Sequence, residues 1–330
     1  MTHRTITTRI ITLLLAGVMA LAPHSVSAQT PALPGQALEI NPPVINTKAN
    51  PGETIKTQIS IRGLSTSKLL VSNDINDFTA AGEDGSPKIM LEPGESNPYS
   101  MKSWISPLPK ITLNPKQISD LTVNIAVPAN AAPGGYFAVI RFTATAPELK
   151  DTGVALSASI GTLVLLRVNG DAKESVDVEE FFTSVSGNKG SLYEGAPIQF
   201  VERIKNAGSV HEQPRGQITI KDMFGQKVAN LNVNLENRNV LPGSIRRFEQ
   251  PLDNSVIGNK ILFGRYTADL VITYGSTGQQ ATASLSFWVI PYRLIGGVIA
   301  IMLVLFFLIR FAIRRYNNYI IGQTRGRRRR

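Results

Sequence analysis

The chain has no cysteine, only three histidines and only two tryptophans among its 330 residues. The absence of thiols excludes disulfide staples, lipid anchoring through a modified cysteine, a Cys-His nucleophile pair and a cysteine-built zinc site. Two of the three histidines, His3 and His24, fall in a leader expected to be removed, which leaves His211 alone. His211-Glu212 lacks the second histidine of a metalloprotease helix, and there is no G-x-S-x-G elbow to support a serine nucleophile. Flanked by Gly208 and Pro214, His211 reads as an exposed loop residue. No catalytic residue, cofactor or metal is expected, and the chain is not read as an enzyme.

Acidic residues are missing from the C-terminal end, where Arg310, Arg314, Arg315, Arg325 and Arg327 to Arg330 stand alone. They follow sixteen uncharged residues, Leu294 to Ile309. At ~1.5 Å per residue these cover about 24 Å of a bilayer core of about 30 Å, and Arg310 extends the span by snorkelling. A transmembrane helix is therefore expected over 291–313, followed by a basic cytoplasmic tail over 314–330. Trp288, Tyr292, Arg310, Arg314 and Arg315 are its expected membrane-interface residues. At the other end, Arg4 and Arg9, the apolar Ile10–Leu21 run and Val26-Ser27-Ala28 predict a signal peptide over 1–28.

These two segments also explain the charge. The formal net charge is +10, from 34 basic and 24 acidic residues. The stretch from Arg310 onward holds eight of the arginines and the leader two, so the body between them has 24 residues of each sign. The basic excess follows membrane topology and gives no reason to expect nucleic acid as a partner.

The body alternates with period two. Leu121, Val123, Ile125 and Val127 form one run, Tyr136, Ala138, Ile140 and Phe142 another. Later runs are Tyr266 to Tyr274 and Ala281, Ala283, Leu285, Phe287 and Val289. Turn residues separate the runs, as in half-buried antiparallel strands. In each half a Pro-containing turn precedes a strand, and Tyr136 or Tyr266 opens a later one, so both tyrosines read as core residues satisfied by backbone. The fold class expected is all-β: two tandem immunoglobulin-like β-sandwich domains, 37–169 and 171–290, then one transmembrane helix.

Several motifs resemble the WxL-interacting protein family. In the first half they are Pro51-Gly52-Glu53-Thr54, Ile111 to Pro115, Leu121 to Pro128 and Pro133-Gly134-Gly135-Tyr136-Phe137. In the second they are Lys205 to Ser209, Pro214-Arg215-Gly216, Asp222-Met223-Phe224-Gly225, Leu241-Pro242-Gly243-Ser244 and Gly264-Arg265-Tyr266. The resemblance covers most of the exported body. It implies a bacterial, cell-surface, single-pass membrane protein whose first domain binds peptidoglycan and whose second binds a surface-protein partner. The alternative expectation is an assembly chaperone that binds exported clients by β-strand addition.

The segment Asn73 to Pro109 reads as a long loop and as the first place to look for a ligand site. Tyr99 and Trp104 either offer flat faces to the sugars of a wall polymer or pack on the sandwich end and anchor the loop. Asn73, Asp74, Asn76, Asp77, Glu83 and Asp84 do not follow EF-hand spacing and read as a solvated turn rather than a Ca²⁺ site.

Overall fold

Alternating runs interrupted by Pro and Gly form strands, and the uncharged C-terminal stretch forms a helix. The computed structural model describes residues 38–92, 97–145, 158–258 and 260–327. The expected signal peptide, 1–28, lies outside the described residues.

The first half pairs β1 (Leu38–Asn41), β3 (Thr54–Gly63) and β7 (Ile118–Ala126) into an antiparallel sheet in the order β1-β3-β7. The second sheet runs β2 (Val44–Ala49), β9 (Ala158–Val168), β8 (Gly134–Thr145), β4 (Leu69–Ala80), β5 (Pro87–Met90). The short β6 (Ile111–Leu113) pairs with the start of β4. Ile59, Ile61, Val123 and Ile125 from one sheet, and Ile140, Phe142, Val164 and Leu166 from the other, are fully buried.

In the second half one sheet is ordered β11 (Asn188–Gly190), β10 (Val176–Val185), β13 (Ile198–Asn206), β16 (Ile245–Leu252). The other is ordered β12 (Leu192–Tyr193), β18 (Gln279–Val289), β17 (Gly264–Tyr274), β14 (Arg215–Lys221), β15 (Lys227–Val233). Inward-facing residues of both sheets form one apolar cluster that includes Phe200, Ile204, Ile218, Leu270 and Phe287. The Phe200 and Phe287 rings meet edge-on at 5.6 Å. Truncating either ring to Ala is expected to cost about 3–5 kcal/mol. Cores of this kind explain how the body holds together without disulfides.

No strand pairing among the described residues joins β1–β9 to β10–β18. The strands stop at Val168 and resume at Val176, around the polar stretch Asn169 to Glu174. A one-turn helix, α1 (Asn254–Ile257), is capped by the Asp253 carboxylate, which accepts from the Ser255 and Val256 N–H groups. The long helix α2 (Tyr292–Arg327) starts directly after Pro291, a residue suited to the first turn of a helix. Its apolar stretch, Tyr292–Asn317, has a mean hydropathy of 2.7, enough by length and composition to cross a membrane. The helix continues through most of the stretch expected as tail, 314–330.

Two expectations need correction. The segment Asn73 to Pro109 is not one long loop: Asn73 to Ala80 completes β4, Pro87–Met90 is β5, and Lys102–Trp104 is a single 3-10 turn. Beyond Asn76, β4 leaves β8 and pairs with β5. Its place beside β8 is taken by Tyr99 to Met101: Phe137 N donates to Tyr99 O (2.7 Å), and Met101 N to Phe137 O (3.2 Å). Secondly, β8 does not bury one face alone. Phe137 and Val139 are as buried as Ala138 and Ile140, because Phe78, Tyr99, Leu165 and Leu241 cover its outer face.

Candidate functional site

Leu241 belongs to the second sandwich, so the covered face of β8 leads to the junction between the two halves. There His211 is buried, not an exposed loop residue as the sequence suggested. Its ring meets Phe137 edge-on at 5.6 Å, and Nε2 lies 3.0 Å from Oδ1 of Asn46 on β2. Burial pushes its pKa down to about 4, with the charges of Arg167 and Lys48 adding to the effect. The Gly135 N–H donates to Ser209 O (2.8 Å), and a Cβ on Gly135 would sit 3.0 Å from the His211 nitrogen. Only glycine permits this approach of two backbones without displacement. Turn-like sequence around His211 is thus packed against the first half of the body, which no local pattern announces.

The acidic residues of the Asn73 to Pro109 segment have separate partners. Asp74 pairs with Arg141, Asp77 accepts from the Ser100 hydroxyl, and Asp84 accepts from Ser86. Glu83 sits at the tip of the β4–β5 hairpin, which reaches over the second sandwich as an arm. Its carboxylate accepts from Arg203 Nη2 (2.6 Å) and Nε (2.9 Å), and its backbone carbonyl accepts from Arg247 N (2.7 Å). Hydrogen bonding from Arg203 holds the Glu83 carboxyl below its ordinary pKa. Beneath the arm lies a cavity of about 500 Å³ lined by Phe78, Tyr99, Phe137 and Leu241 among others.

Tyr99 is half-buried there, its ring 5.8 Å from that of Phe137. Trp104 is half-buried 4.4 Å from Tyr136, whose hydroxyl donates to Ala132 O (3.0 Å). Tyr266 is buried, stacked on Phe287 at 5.5 Å, and its hydroxyl accepts from Phe263 N (3.0 Å). Trp288 is the last residue but one of β18, and Tyr292, Arg310, Arg314 and Arg315 lie exposed on α2. The residues singled out from sequence are not brought together: Tyr99 and Trp104 sit on the first sandwich, the others at or beyond the end of the second.

One buried group has no counterpart in the sequence reading. Glu202 on β13 faces the core of the second sandwich, is fully buried, and has no hydrogen-bond partner on either carboxyl oxygen. Burial, with a smaller contribution from the Glu249 charge, pushes its pKa up to about 9, so it is neutral at pH 7.

The feature with the clearest chemical consequence is the outer edge of β18. This strand pairs with β17 over all eleven residues, but on its other side only Trp288 and Val289 meet β12. Trp288 N and Ile290 N donate to Ser191 O (2.7 Å) and Tyr193 O (2.8 Å), so even-numbered backbone groups point away from β17. Gln280, Thr282, Ser284 and Ser286 therefore present N–H and C=O groups outward with no strand partner among the described residues. No charged residue occurs from Gly275 to Pro291.

Other edges are guarded. β16 carries Arg246, Arg247, Glu249 and Pro251 and is engaged by the arm at Arg247. β7 carries Asp120 and is met by Ser106 N on Asn124 O (3.0 Å). β15 has Lys227, and β2 has Lys48. Charge, proline and local cover are the usual means of keeping an edge from pairing, and among the described residues β18 has none of them over Gln279 to Phe287. Below that edge, Ala281, Ala283 and Leu285 are only partly buried, as are Val178 and Phe181 of β10 in the same cluster.

Comparison with known proteins finds no matching family model and no matching curated protein. Among solved structures, the chain is similar to the class 5 fimbriae chaperone CfaA, with 12% identity over 77% of this chain and 99% of that one, TM-score 0.37. It is similar to the E. coli chaperone DraB, with 17% identity over 75% and 98%, TM-score 0.33. It is also similar to the CupB2 chaperone of Pseudomonas aeruginosa, with 9% identity over 76% and 100%, TM-score 0.33. At these scores the likeness carries no inference about what this chain does.

Proposed function

We propose that this chain is a non-enzymatic, membrane-anchored cell-surface protein that captures an extended segment of an exported protein by adding it as a strand to β18. The carrying observation is the uncharged, unpaired edge from Gln279 to Phe287. An incoming strand would satisfy its outward backbone groups, and alternate apolar side chains would cover Ala281, Ala283, Leu285 and the neighbouring face of β10. Main-chain bonds supply affinity in this mode of recognition, and the row of side-chain contacts supplies selectivity. The apolar helix α2 supports anchoring, and the arginine excess beyond it supports a cytoplasmic C-terminus with the sandwiches outside.

This reading keeps the surface-protein partner that the resemblance to WxL-interacting proteins implies, and favours an assembly or scaffolding role. Peptidoglycan binding has weaker support, because Tyr99 and Trp104 each pack against another ring of the first sandwich. The test is photocrosslinking in cells, with a crosslinker placed at Ser284 or, as a control, at the exposed Asn232 on the β15 edge. We expect Ser284 adducts with an exported protein, lost at least tenfold on Thr282→Pro. The Thr282 N–H points outward, so proline there removes a docking donor and leaves the β17–β18 ladder intact. Absence of adducts, or adducts indifferent to Thr282→Pro, would overturn strand addition at this edge.

A further inference from the structure

The end of the second sandwich from which α2 departs has an unusual surface. In register, β17 begins where β18 ends (Gly264 opposite Val289), and β14 runs down beside it to Lys221. β12 lies against Trp288 at that same end. The turn Asp222 to Gln226, the segment Lys260 to Phe263 and Leu192 are thereby gathered around the start of α2. Large apolar side chains there face outward: Phe224 is 80% exposed, Ile261 70%, Leu192 64%, Phe263 58%, Met223 50% and Trp288 48%. Elsewhere in the described part of this sandwich, Leu235 is the one comparable residue.

These side chains are held in place. Oδ1 of Asp222 accepts from Phe224 N and Gln226 N, both at 2.9 Å, which fixes Phe224 at the tip of its turn. Leu262 is buried between the outward Ile261 and Phe263, and the Tyr266 hydroxyl accepts from Phe263 N. Exposed apolar surface of this extent marks a contact with a partner or a membrane. Only Ile290 and Pro291 separate β18 from α2, and the three Cα–Cα steps from Val289 to Tyr292 reach no further than about 11 Å. With Tyr292 at the start of the apolar stretch, that gap is too thin for another protein layer, which at about 10 Å from each neighbour would need about 20 Å.

We infer that this end of the second sandwich is seated on the lipid bilayer, with Phe224, Ile261 and Phe263 inserted at the headgroup level beside the anchor. Aromatic side chains favour that zone, and the exposed Lys227, Lys260 and Arg265 around them suit anionic headgroups. The inference rests on α2 being the membrane anchor. It gives the β18 edge a fixed direction, rising from the bilayer surface.

The absence of cysteine makes the test direct: single-cysteine variants of the full chain, labelled with an environment-sensitive fluorophore in vesicles containing phosphatidylserine. Phe224→Cys and Ile261→Cys probe the end, Leu303→Cys probes the span, and Leu235→Cys is the distant exposed control. We expect headgroup-proximal doxyl lipid to quench the labels at 224 and 261 at least twofold, deep doxyl lipid to quench that at 303, and neither to affect that at 235. Labels at 224 and 261 as insensitive as that at 235, with 303 quenched, would leave the anchor standing and overturn the lipid contact. So would a concentration-dependent blue shift at 224 without quenching, which would mark protein contact. An unquenched label at 303 would remove the anchor and the inference together.

Discussion

His211 and Glu202 are nine residues apart and both buried, yet they make their regions vulnerable at opposite ends of the pH scale. His211 lies at the junction of the two sandwiches, where burial and nearby cations favour its neutral form. Glu202 lies inside the second sandwich, where burial favours the neutral carboxylic acid. Burial acts alike on both by excluding charge, but neutrality means proton loss for one and proton gain for the other. The junction should therefore loosen in acid and the core of the second sandwich in alkali.

The largest expected effect is at Glu202. Its folded pKa is raised from 4.5 to about 9, so the folded state holds a proton that the unfolded state has lost across that interval. Stability is full below pH 4.5 and falls as pH rises to about 9, with a ceiling of about 6 kcal/mol at ~1.4 kcal/mol per pH unit. Glu202→Gln should remove most of this slope and raise the melting temperature at pH 8. Hydrogen exchange of β13 and β16 amides between pH 5 and 9, corrected for intrinsic rates, measures it. Equal slopes in the two proteins would show that the carboxyl is partnered or hydrated.

His211 gives a smaller effect of opposite sign. Its folded pKa is depressed from 6.5 to about 4, so stability is full above pH 6.5 and is lost as pH falls towards 4, by about 3 kcal/mol in all. Exchange at Gly135 and Ser209 should accelerate over that window before β13 is affected. In His211→Met the acid acceleration should disappear. If β13 and the junction respond together, the contrast between the two regions fails.

Some of this was legible in the sequence. Alternation in Leu121 to Val127 and in Tyr266 to Tyr274 announced strands because each buries one face against a core. The uncharged stretch after Pro291 announced the helix. The second half of β4 was not legible: Asn73-Asp74-Ile75-Asn76-Asp77 places polar residues on both faces, and its pairing comes from residues far along the chain. The junction left no periodic trace either, since Asn46 and His211 meet across 165 residues. For β18, alternation gave the strand, but a strand pattern reads alike at the centre and the edge of a sheet. The exposed apolar end escaped for a related reason, because Met223-Phe224 and Ile261 to Phe263 become one surface only through β14, β17 and β18.

Smaller still is the effect expected at the arm. Gly85 has φ +81°, and a Cβ there would come within 2.2 Å of Arg246 Cζ. Gly85→Ala should weaken the arm by roughly 1–2 kcal/mol, through backbone strain and displacement of Arg246. Glu83→Gln should cost about 1 kcal/mol, because the pair with Arg203 is partly exposed and screened. Both are read as faster exchange at Arg247 N–H with no change at β17. An unchanged Arg247 amide in Gly85→Ala would mean the arm does not help hold the halves together.

Phe224→Ser sets the lower limit. At 80% exposure the ring contributes little to the fold, so thermal stability in detergent should shift by less than about 0.5 kcal/mol. The same substitution, made alongside Ile261→Cys, should lessen lipid quenching of the label at 261 if the two side chains share one membrane contact. A loss of folding in detergent would instead assign Phe224 to the core-supporting set with Phe287. The apolar end would then behave like the junction, where buried contacts hold the structure, and the distinction between a surface made for packing and one made for lipid would disappear.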